Sequence, residues 1–98
     1  MSKGSELEVP GDARPSLEVS DAGIYVRFQM GVRAEKTLLR SEWPHLAVDL
    51  ASNGTVVGIE CVPVPEKFTI GQLAKQAGVF VPPSVLQYEP QIQTKATA

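Results

Sequence analysis

Basic charge, cysteine and long apolar runs are all scarce in this sequence, and each scarcity removes a class of function. Nine Lys plus Arg stand against eleven Asp plus Glu in 98 residues, a formal charge of −2. The chain therefore lacks the positive footprint that nucleic acid or an anionic membrane surface selects. A single cysteine, Cys61, leaves no intrachain disulfide, and a single histidine, His45, leaves no usual Cys/His zinc cluster. Neither a metal nor a cofactor is expected. No apolar run approaches the roughly 18 residues that span a bilayer, and Met1–Pro10 lacks the succession of a signal peptide, so a cytoplasmic location is expected. The glycines never cluster as Gly-x-Gly-x-x-Gly or as a phosphate loop, which leaves nucleotide binding without support.

What is plentiful is the β-branched aliphatic side chain. Valine and isoleucine total sixteen residues and valine alone outnumbers the eight leucines; such side chains are stiff at χ1 and sit better on a pleated sheet than on a helix. Residues 1–15 mix Ser, Gly, Pro and charges without a sustained period and read as a disordered arm. A short strand is expected over Ser16–Ser20, with turn chemistry at Asp21-Ala22-Gly23. Ile24, Val26, Phe28 and Met30 then alternate with Tyr25, Arg27 and Gln29, the period of a half-buried strand closed by Gly31. A third strand is expected over Ala34–Arg40, and Trp43, held out of helix by Pro44, is expected to lid one end of the core.

The next two strands read as a hairpin. Leu46, Val48 and Leu50 alternate, Asn53-Gly54 supplies a type I′ turn signal, and Val57, Ile59 and Cys61 alternate in turn. Flanking the turn with Ser52 and Thr55 predicts Leu50 opposite Val57 and Val48 opposite Ile59, with Asp49 and Glu60 on the other face. Pro63 and Pro65 end the sheet. The period then changes: Thr69 and Gln72 form a Thr-x-x-Gln capping box, Leu73, Ala74 and Ala77 a narrow helical stripe, and Gly78 a left-handed C-cap. Another helical turn can follow Pro82-Pro83, and residues 84–98 read as a partly ordered tail.

Four polar residues, Tyr25, Arg27, Asp49 and Glu60, are expected together on the sheet face away from the core. Two carboxylates on neighbouring strands suit an acid/base pair or a cation if their pKa values are driven apart; the alternative is a solvated or interface face with Arg27 paired to a carboxylate. His45 reads as a loop residue, since no nucleophile or acid is placed beside it by a motif. Cys61 reads as a small inward-facing core residue with no cation to activate it. Gly58, inside a strand, marks a close approach, such as a Tyr25 ring lying flat on the sheet.

Asp21, Ile24, Tyr25 and Val26, then Val48, Asp49, Gly54 and the run Val56-Val57-Gly58-Ile59-Glu60, resemble the domain-of-unknown-function family 2283, a group of small, mostly bacterial proteins. The resemblance covers about two fifths of the chain. It implies a small antiparallel sheet with an added helix, no established biochemical activity, and an antitoxin-like role beside a separately encoded protein. Residues Phe68 to Val79, with Tyr88-Glu89 downstream, resemble the helix-turn-helix of mercury-resistance-type regulators, which implies DNA contact through residues 69–88. Against that implication, Phe80 to Pro90 holds Pro82 and Pro83 and no basic residue to reach bases or phosphates.

The expected architecture is α+β: about five short antiparallel strands between Ser16 and Val62 and one C-terminal helix near Ile70–Ala77, in a single domain over 16–83. The expected function is non-enzymatic, with no catalytic residues: a protein-interaction module that self-associates or binds a second protein. The alternative is a small-ligand or hydrolytic site around Asp49 and Glu60.

Overall fold

A computed structural model describes residues 7–89. Five antiparallel strands form the main sheet: β2 (Ser16–Val19), β3 (Ile24–Arg27), β4 (Lys36–Glu42), β5 (His45–Leu50) and β6 (Val56–Val62), after a short β1 (Leu7–Glu8). Helix α1 (Ile70–Ala77), strand β7 (Val79–Phe80) and a single turn, α2 (Pro83–Leu86), follow. The sheet order is β2-β3-β6-β5-β4, so the chain crosses from β3 to the far edge and returns through two hairpins to lie beside β3 again, a Greek-key path. Strands β2 and β4 are the edges. The expected α+β class, with its five antiparallel strands and C-terminal helix, is what the chain forms.

One face of the sheet carries the core. Ile24, Val26 and Phe28 of the β3 run, Leu46 and Val48 of β5, and Ile59 and Cys61 of β6 are buried together with Ile70, Leu73, Ala74 and Ala77 of α1. The helix therefore covers a face and not an edge. Its ends are built as the sequence predicts: the Thr69 hydroxyl accepts from the Gln72 N–H at 3.0 Å, the Gln72 side chain accepts from the Thr69 N–H at 3.1 Å, and Gly78 takes φ +73°. Two further contacts complete the helix. The Glu89 carboxylate accepts from the Ile70 N–H at the N-terminus, and the Arg40 Nε donates to the Ala77 carbonyl at 2.7 Å at the C-terminus. Each places the charge that the helix dipole favours at that end.

The N-terminal segment departs from the arm reading. Val9, Ala13 and Val85, outside the expected domain of 16–83, all belong to the core. Leu7 and Glu8 pair in parallel with Val79 and Phe80, and the Val9 N–H donates to the Phe80 carbonyl at 3.0 Å. Val9 is 3% exposed, and burying a valine contributes about 2 kcal/mol, enough to dock a short segment that has no period of its own. The rest of the arm, 1–6, and the tail from 90 onward lie outside the described residues.

Three details of the sheet differ from expectation for local reasons. In the β5–β6 hairpin Val48 does face Ile59, but Leu50 faces Val56 across a register shift. Only Gly54 has positive φ, so the turn is not type I′; the Ala51 carbonyl accepts from Gly54, and the Asn53 side chain accepts from the Thr55 N–H at 3.0 Å. Met30 is 67% exposed and not inward-facing: the Phe28 and Gln29 N–H groups converge on the Val57 carbonyl, ending the alternation before Gly31 turns the chain away at φ +74°. Trp43 lids nothing. Glu42 pairs directly with His45, which pushes Trp43-Pro44 out past the end of the sheet and leaves the indole 81% exposed. The third strand itself runs Lys36–Glu42, with a bulge at Arg40.

Candidate functional site

The second face of the sheet carries the polar residues that the alternation of β3, β5 and β6 singles out. Glu18 faces Tyr25, Tyr25 faces Glu60, Asp49 faces Gly58 and Thr37 faces Asp49 across the ladders. The residues next to Tyr25, Asp49, Gly58 and Glu60 along β3, β5 and β6 point into the core. The four expected residues, Tyr25, Arg27, Asp49 and Glu60, thus share one face, and the structure divides them into two groups.

Tyr25 organises the larger group. Its ring lies over Gly58, and its hydroxyl donates to Asp49 Oδ2 at 2.9 Å. The Thr37 hydroxyl donates to Asp49 Oδ1 at 2.6 Å, so both carboxylate oxygens are engaged. Arg27 lies over the Tyr25 ring, 5.0 Å from its centroid, and donates from Nε to Glu18 Oε2 at 2.8 Å and from Nη2 to Oε1 at 3.4 Å. The carboxylate paired with Arg27 is therefore Glu18, which the sequence reading did not include. In the second group Glu60 lies 3.2 Å from His45 Nε2. His45 is not in a loop: it opens β5, opposite Glu42 and Val62.

Electrostatics fix the roles of these groups. Partial burial pushes the Tyr25 phenol well above its ordinary value, and the hydrogen bond to the Asp49 carboxylate and that group's charge push it further. Tyr25 is thus a neutral hydrogen-bond donor at physiological pH. The hydrogen bond from Arg27 lowers the Glu18 carboxyl and raises the guanidinium in return. Asp49 and Glu60 lie on a diagonal, about 7–8 Å apart for neighbouring strands, and each has its own partner. Among the described residues no three His, Cys, Asp or Glu side chains gather as a metal site.

The remaining candidates have structural roles. Cys61 is buried, its thiol 3.7 Å from the Pro63 carbonyl, and burial raises its pKa, which keeps it protonated and unreactive. In the stretch that resembles a helix-turn-helix, α1 packs its apolar stripe on the sheet, β7 intervenes, and α2 is one turn long. Lys75 is the only basic residue from 70 to 89. Thr37 escaped the sequence reading because its contact with Asp49 depends on which strands are neighbours, and the His45–Glu60 pairing escaped it because β5 begins at His45, a residue expected in a loop. The alternation of Leu17 and Val19 with Ser16 and Glu18 in β2 was the one signal that pointed to Glu18.

What this face offers chemically is a set of hydrogen-bonded polar side chains, beside a shallow groove of about 170 Å³ bordered by Glu18, Val19, Tyr25 and Glu60. No described helix is long and apolar enough to cross a membrane. Comparison with protein-family models, with curated proteins and with solved structures returns no match.

Proposed function

We propose that this chain is a non-enzymatic protein-interaction module, one that self-associates or serves as the partner of a separately encoded protein. The observation that carries the reading is the state of the outer sheet face. Its ionisable groups are tied to one another through Tyr25–Asp49–Thr37, Arg27–Glu18 and His45–Glu60. Such a face holds its shape and supplies polar contacts without a free nucleophile or an acid/base pair, which suits recognition better than turnover. The edge strands β2 and β4 of the described sheet add backbone donors and acceptors that a partner strand can use.

In the same reading the chain works in the cytoplasm, where its single buried thiol stays reduced, and the family 2283 resemblance supplies the antitoxin-like version of the partner. The test is affinity capture of the tagged chain from its own cells, with mass spectrometry and light scattering of the eluate. A stoichiometric second protein or a defined homo-oligomer is the expected result. A monomer at every concentration, with nothing retained in stoichiometric amount, overturns the reading.

A further inference from the structure

The one tryptophan of the chain stands on its surface. Trp43 projects from the β4–β5 turn and is 81% exposed, although a ring of this size can remove roughly 150–250 Å² from water when it is buried. Pro44, the next residue, forms part of the wall of an open groove of about 290 Å³ at the end of the sheet. Pro63 and Pro65 after β6, and Phe68 and Leu73 on the α1 side, make the groove apolar, and Lys67 stands on its wall. Trp43 itself does not line it.

A projecting indole and an apolar groove therefore occupy one surface patch. That is the requirement of a two-fold contact, in which each copy offers what the other receives. Charge is complementary in the same sense. Glu42 flanks the indole and Lys67 borders the groove; both are exposed, and among the described residues neither is in an ion pair.

We propose that this end of the molecule is a self-association site, in which Trp43 of each copy seats in the groove of a second copy and Glu42 faces that copy's Lys67. The proposal rests on the interaction-module reading and names its occupant. Two indoles and the groove surface they cover bury roughly 600–1,000 Å² in total. This lies below a standard interface, so the dimer is weak and forms as concentration rises.

Sedimentation and light scattering over a concentration series test this directly, with tryptophan fluorescence recorded on the same samples. Because Trp43 is the only tryptophan, its emission reports on the site alone. The expected result is a monomer–dimer equilibrium in which emission shifts to the blue and acrylamide quenching falls in step with the rise in mass. Trp43→Ala weakens the dimer about tenfold or more, with an unchanged circular dichroism spectrum. Glu42→Lys and Lys67→Glu each weaken it, and the two together restore it, a recovery that misfolding cannot imitate. A dimer indifferent to all three substitutions overturns the site while leaving the interaction-module reading in place. A chain that stays monomeric throughout also overturns the proposal, and so does protection of Trp43 only on addition of a different protein.

Discussion

The ring of Tyr25 occupies the space where Gly58 has no side chain: a β-carbon built on Gly58 would lie 2.3 Å from Tyr25 Cζ and Oη. The glycine inside β6 is thus what lets the ring lie flat and carry its hydroxyl to Asp49. Gly58→Ala forces the ring off the sheet and breaks that hydrogen bond. Overpacking of this kind costs about 1–3 kcal/mol, and the loss of backbone entropy in the unfolded chain returns no more than about 1 kcal/mol. The expected outcome is a net destabilisation of about 2 kcal/mol in urea unfolding. In a Tyr25→Ala background the same substitution costs close to nothing, and a double-mutant cycle measures the difference.

Tyr25 also predicts an alkaline limit to stability. Its folded-state pKa is raised above the ordinary value of 10.0 by burial and by Asp49, so the folded protein binds the phenolic proton more tightly than the unfolded chain does. The corresponding stability is fully present below pH 10.0 and is lost as pH rises above it. Unfolding midpoints recorded across this range are expected to fall with pH in the native protein. Tyr25→Phe, which has no proton to lose there, flattens that part of the profile; an unchanged slope would show that another group carries it.

Glu18 acts in the opposite direction at acid pH. Arg27 holds its carboxyl below the ordinary 4.5, so this small contribution is present above pH 4.5 and is lost as pH falls through the lowered folded value. The pair is exposed, and exposed pairs contribute little. Glu18→Gln is expected to change acid stability by a few tenths of a kcal/mol at most, and added salt to remove the difference.

The parts of the fold that were legible in advance depend on short-range chemistry. The Thr69–Gln72 capping box, the Gly78 cap and the alternation that sends Tyr25, Asp49 and Glu60 to one face are each written within a few residues. The close approach at Gly58 was legible too, because a glycine inside an alternating strand calls for a neighbour over it. What was not legible depends on residues distant in sequence. Val9 is buried because Phe80 accepts its N–H, and Trp43 is exposed because Glu42 and His45 pair directly. The hold on Asp49 by Tyr25 and Thr37 follows from strand order, which no local pattern states, whereas Glu60 meets His45 because β5 starts at His45 and not after it.

Arg40 joins the edge strand to the helix. It sits at the bulge in β4, and its Nε reaches the Ala77 carbonyl at the C-terminal end of α1, where helix carbonyls lack partners. Arg40→Ala leaves that carbonyl to water and removes a cation from the negative end of the helix, at a cost of about 1 kcal/mol. Hydrogen exchange is the more informative measurement, because faster exchange is expected in the last turn of α1 while the β5–β6 amides keep the rate set by global unfolding.

The N-terminal segment gives the clearest test of how far the domain extends. If Val9 belongs to the core, as its 3% exposure and its bond to Phe80 indicate, then Val9→Ala removes two buried methyl groups and costs about 2 kcal/mol, including the void left behind. An unstructured arm would make the substitution neutral. Val9→Asp sharpens the contrast, since an unpaired carboxylate cannot be accommodated in the apolar core to which Val9 belongs. Its expected effect is release of the segment, seen as protease cleavage near Pro10, with the five-stranded sheet and α1 still folded. Cleavage at the same rate in the native protein would mean that Leu7–Val9 add nothing to the stability of the fold.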